Sequence, residues 1–112
     1  MTHEQLWYAA YEIEDADGYD ADYESFGTRA RTEAFARRVY LPAVSEPVDN
    51  RAVTRAFVYL VPVDASVAGK DDANGDPWSL WDALASIPRE QWVFLHGSPD
   101  EYHGDAKEGG AA

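Results

Sequence analysis

The sequence predicts one α+β domain: a mixed sheet of about four strands with two helices, in the order β-β-α-β-α-β. Three observations lead there. Two alternating apolar segments flank an Asp-Gly pair near the N-terminus. A later run, TRAFVYLVPV, is apolar on both sides. Two segments of helical character each follow a capping residue and stop at a proline. The chain has 112 residues, 46% of them apolar and 13% aromatic, enough for one modest core. The predicted domain spans 1–98, and 99–112 reads as an acidic, Gly-rich and partly disordered tail.

Residues 5–14 form the first predicted strand, with Trp7, Ala9, Tyr11 and Ile13 on one face and Leu6, Tyr8, Ala10 and Glu12 on the other. Asp17-Gly18 is a hairpin turn signal, and 22–30 is the returning strand. Thr32 is then the expected N-cap of a short helix, with Glu33 in its first turn and Pro42 at its end. Residues 54–63 read as the central strand, covered on both sides. Asp76-Pro77 predicts a helix over 77–87 stopped by Pro88. Residues 91–96 supply the last strand. Both helices are expected on one face of the sheet. Trp7, Phe35, Phe57, Val58, Leu60 and Leu84 are the predicted core.

Charge is the most uneven property. Residues 1–28 hold eight carboxylates and no Lys or Arg, and the whole chain carries a net charge of −12. Such a field repels nucleic acid and attracts basic surfaces, so direct DNA or RNA binding is not expected. There is no cysteine, hence no disulfide framework and no thiolate metal site. No apolar run approaches the length of a membrane span, and the N-terminus lacks the basic region of a signal peptide. A cytoplasmic protein is the expectation.

The stretch EIEDADGYDADYES packs Glu12, Glu14, Asp15, Asp17, Asp20, Asp22 and Glu24 together. A calcium loop with Gly18 at its sixth position would accept Asp15, Asp17 and Glu24 but puts Ile13 at the first position, which cannot ligate. The loop around Gly75 fails in the same way at Lys70 and Trp81. His96 and His103 have no metal-ligand spacing, and no nucleophile elbow or phosphate-binding Gly loop occurs. No catalytic residue, metal or cofactor is therefore expected. Two readings of the acidic stretch remain, a solvated hairpin tip or a surface that imitates phosphates. Arg29, Arg31, Arg37 and Arg38, just downstream, could neutralise part of it. Trp78 and Trp81, one helical turn apart, form a second candidate interface.

In size, charge and element order the chain resembles the small, acidic, cysteine-free α+β proteins with which phages and mobile elements block host defence, such as anti-CRISPR and anti-restriction inhibitors. The resemblance carries over no individual residue. It implies a non-enzymatic inhibitor or adaptor whose acidic surface occupies a basic protein surface, the nucleic-acid groove of a defence complex being one such target. The expected partner-binding residues are Glu14, Asp15, Asp17, Asp20, Asp22, Glu24, Trp78 and Trp81. The alternatives are an accessory subunit that forms a homodimer through its aromatic face, and a metal-binding module built on the acidic loops.

Overall fold

A computed structural model describes residues 5–15, 18–45, 53–68, 70–71 and 75–102. Strand β1 (Gln5–Asp15) pairs with β2 (Gly18–Gly27) on one side and β3 (Val53–Asp64) on the other; β4 (Val93–His96) completes the order β2-β1-β3-β4. The fold is α+β with four strands, but every ladder is antiparallel rather than mixed. β1 and β2 form a hairpin, which can pair only antiparallel. The connection into β4 brings that strand back beside β3 in the opposite direction.

The helical segments lie on opposite faces, not on one. Arg29–Phe35 (α1) runs through a π-helical turn, Ala36–Tyr40, into α2 (Leu41–Ser45). Ala36, Tyr40 and Val44 from this run pack on Ala9, Ile13, Val58 and Leu60. The other face carries α3 (Leu80–Ala83), the 3-10 turns Leu84–Ser86 and Arg89–Gln91, and the chain up to Tyr102. There Leu80, Leu84, Trp92 and Tyr102 cover Ala10, Phe57, Tyr59, Val61 and Val63. The doubly apolar character of β3 requires this arrangement. Phe57 through Val61 are all buried, so each face of β3 must have its own cover. Trp7 and Phe35, expected in the core, are half-buried at its margin.

Element boundaries shift for identifiable reasons. Thr28, not Thr32, caps α1, its hydroxyl accepting from the Arg31 amide at 3.3 Å. Thr32 is fully buried within the helix. Its hydroxyl donates to the Trp7 carbonyl at 3.0 Å and accepts from the Phe26 amide at 3.2 Å. The β1–β2 register slips between Trp7 and Tyr8, leaving Phe26 without a cross-strand partner, and Thr32 satisfies the groups exposed there. Pro42 does not stop the helix. The preceding turn widens, with the Leu41 amide reaching back to the Ala36 carbonyl, which moves carbonyls away from the proline ring. Ser79 caps α3 in place of Asp76, its hydroxyl accepting from the Trp81 amide at 3.2 Å. Pro77 is held extended by a bridge to Asp71, so Trp78 precedes the helix. Residues 99–102, expected in the tail, belong to the domain, since Tyr102 is only 8% exposed. The expected turn residue Asp17 and the tail from His103 onward lie outside the described residues.

Gly97 ends β4 at φ +84°, and a Cβ there would meet Phe57 Cδ1 at 2.5 Å and the Ala56 carbonyl oxygen at 2.9 Å. Gly97→Ala combines a disfavoured backbone with a collision against the core. It is expected to lower unfolding stability by more than about 1 kcal/mol in a denaturant titration.

Candidate functional site

The acidic stretch does not form one surface. Strand alternation sends its carboxylates to opposite faces of the hairpin. Glu12 and Glu14 follow Tyr8 and Ala10 onto the α3 side. Asp20, Asp22 and Glu24 stand on the α1 side, in line with Phe26, whose ring packs 4.7 Å from that of Phe35. These three are exposed. Asp20 accepts a bond from the Tyr11 hydroxyl at 2.9 Å, and Asp22 accepts from the Tyr23 amide at 2.8 Å. Among the described residues no Lys or Arg pairs with any of them. Arg29 and Arg37 instead flank Glu33, at 3.7 and 2.8 Å. Glu14 is exposed and lies 3.9 Å from Arg55. The side chain of Asp15 and the whole of Asp17 lie outside the described residues.

Glu12 is the residue that sequence reasoning passed over. It is 9% exposed, yet it carries a carboxylate. The hydroxyls of Tyr59 and Tyr102 donate to its Oε2 at 2.5 and 2.7 Å, and that of Tyr19 donates to Oε1 at 2.7 Å. Three charge-assisted bonds replace the water lost on burial. The donors come from β3, the C-terminal turn and β2, so the cluster ties three parts of the chain to β1. The sequence signal was present but weak: Glu12 falls on the same strand face as Tyr8 and Ala10.

Around this carboxylate lies an aromatic assembly. Tyr59 stacks on Trp92 with ring centres 5.0 Å apart, and Tyr102 meets Phe57, Tyr59 and Trp92 at 5.2–5.6 Å. Arg89 donates to the Tyr102 carbonyl at 2.8 Å and sits over the rings of Tyr102 and Trp92. A cleft of about 1200 Å³ opens above, with Glu12, Tyr19, Trp81, Trp92 and Tyr102 in its walls and Asp20 at its side. Trp78 is half-buried against Tyr8 and Tyr23, whereas Trp81 is 36% exposed and packs edge-on to Tyr23. The two tryptophans therefore have different roles, one in the wall of the core and one facing the cleft. His96 lies in β4, paired with Val58, away from this cleft. Among the described residues no three His, Asp or Glu side chains converge on a metal-sized site.

The tyrosine hydroxyls bonded to Glu12 are shifted upward. Burial, then the Glu12 charge and hydrogen bond, push the Tyr59 hydroxyl far above its ordinary value. Tyr102 and Tyr19 move the same way, from burial and then the bond to Glu12. The ring of Tyr19 is 64% exposed, but its hydroxyl turns inward to the carboxylate. Tyr11 is pushed up to about 12 by burial and by its bond to Asp20.

Comparison with known proteins finds no match among family models, curated proteins or solved structures.

Two outcomes follow for stability. Tyr59→Phe removes one of three donors from a buried carboxylate and is expected to cost about 1.5–3 kcal/mol, whereas Tyr11→Phe, at an exposed bond, should stay within about 0.5 kcal/mol. Chemical denaturation of both variants separates them. Raised tyrosine values also set the alkaline limit. The protonated hydroxyls contribute fully below the ordinary value of 10.0, and this contribution is lost as pH climbs through the folded-state values, about 12 for Tyr11. The melting temperature should hold steady up to pH 10 on account of these groups and fall steeply above it.

Proposed function

We propose that the chain is a non-enzymatic binding protein whose acidic β2 surface docks on a basic protein surface. The observation that supports this reading best is the row Asp20, Asp22 and Glu24: exposed, on one face of an edge strand, and unmatched by any cation among the described residues. Like charges two residues apart repel, and folding gains little from them. A row of this kind is favourable when an external basic surface neutralises it.

Strand geometry spaces these carboxylates by about 6.7 Å, against about 3.4 Å of helix axis per phosphate on one DNA strand. The row therefore presents about half the linear charge density of a nucleic-acid strand. It suits a groove lined with Arg and Lys, which a phosphate backbone would otherwise occupy. In its sharpest form the partner is the nucleic-acid groove of a host defence complex, as the similarity in size, charge and element order to anti-CRISPR and anti-restriction inhibitors suggests. The position of β2 adds a second element, because its outer edge pairs with no strand of the described chain.

Neutralising the row tests this reading. The triple variant Asp20→Asn, Asp22→Asn, Glu24→Gln should fold with stability unchanged or slightly raised. Affinity capture with the wild-type chain should retain a nucleic-acid-binding protein that added duplex DNA displaces. The triple variant should associate with that protein more slowly, with a flatter dependence on salt. Equal association rates for the two chains across a salt series would place the binding surface elsewhere.

A further inference from the structure

Glu12 has a second unusual property. Its carboxylate is nine-tenths buried, and among the described residues no Lys or Arg lies within ion-pair reach of it. Buried charges are ordinarily matched by an opposite charge. Arg89, on the same cleft, is committed to the Tyr102 carbonyl and to two ring faces. A carboxylate offers about four acceptor positions, and three are filled here. Oε2 takes two donors and Oε1 takes one, from Tyr19. The open position is thus on Oε1, beside the most exposed of the large aromatic rings. Trp81, 36% exposed, supplies an aromatic ring in the same cleft. Aromatic faces and a desolvated carboxylate attract the same kind of group, a cation with N–H donors.

We propose that the cleft over Glu12 receives one cationic side chain, a guanidinium or ammonium group, presented by a basic protein partner. This rests on the reading of the chain as a binder of basic surfaces and names an anchor for it. The cation would donate to Oε1, rest against Trp81, and compete with the Tyr19 hydroxyl. Asp20 borders the cleft while its carboxylate stands on the other face of β2, so a partner that engages both would wrap the edge strand. The row would govern the rate of encounter, and the cleft would hold one side chain in place.

The full chain, isotope-labelled, can be titrated with N-acetyl-arginine amide at constant ionic strength, with N-acetyl-norleucine amide as control. The indole signals of Trp81 and Trp92 should move with the arginine probe alone. Glu12→Gln, which removes the charge, should weaken binding by about tenfold or more, as expected for losing a hydrogen bond to a charged group. Tyr19→Phe removes the competing donor and should tighten binding. If Glu12→Gln does not fold, Tyr19→Phe and Trp81→Ala carry the test, the second expected to weaken binding. No indole shift overturns the proposal. So does an unchanged affinity in Glu12→Gln or, where that variant is unfolded, in both of the others. The double variant Asp22→Asn, Glu24→Gln separates this inference from the one it rests on. It should lose salt-sensitive partner association while keeping the arginine response. A wild-type chain that associates through the row but shows no arginine response rejects the cleft alone. An arginine response with partner association indifferent to the double variant rejects the row alone.

Discussion

The carboxylate of Glu12 organises this fold. A charged group taken out of water must recover its hydrogen bonds within the protein, and here it does so through three tyrosine hydroxyls. Those donors fix positions that no short-range signal specifies. Tyr59 orients the centre of β3, Tyr102 draws the C-terminal turn back across the sheet, and Tyr19 closes the outer strand over the top. The aromatic stacking of Tyr59, Trp92 and Tyr102 then builds outward from the same point. Replacing such a cluster with apolar groups could leave the core as stable; removing one member leaves a charge underserved.

The other face works by a different principle. Ala9, Ile13, Val58 and Leu60 meet Ala36, Tyr40 and Val44 in an apolar layer closed by one polar pin, Thr32. The Tyr40 hydroxyl is buried there without a hydrogen-bond partner in the described structure. Its pKa is raised by burial and then by the nearby charges of Asp22 and Glu24. The two faces thus treat acidic residues oppositely. One encloses a single carboxylate among aromatic donors, and the other leaves a row of three open to solvent. Two arginines that follow this row in sequence are held elsewhere, Arg29 and Arg37 on Glu33 and Arg29 also over Trp7. The carboxylates of the β2 row are thus left without a matching cation among the described residues. No helix among the described residues is long and apolar enough to cross a membrane.

The sequence by itself determined what depends on neighbours along the chain. Alternation identified the hairpin strands and the face to which Glu12 belongs. The unbroken apolar run of 54–63 marked β3 as central, as its buried residues bear out. Only the tertiary structure decided the rest. Which threonine or serine caps a helix depends on where the strand register slips and which hydroxyl is claimed by a distant carbonyl, as Thr32 is by Trp7. Pro42 reads as a stop because sequence rules assume regular α-helical spacing, which the π turn abandons. Above all, the acidic stretch looked like one surface because charge is counted along the chain. A strand turns successive side chains to opposite sides, and residues 47 and 90 positions away supplied the hydroxyls that made Glu12 an interior group. Burial of a charge is settled by contacts remote in sequence, and no local pattern contains them.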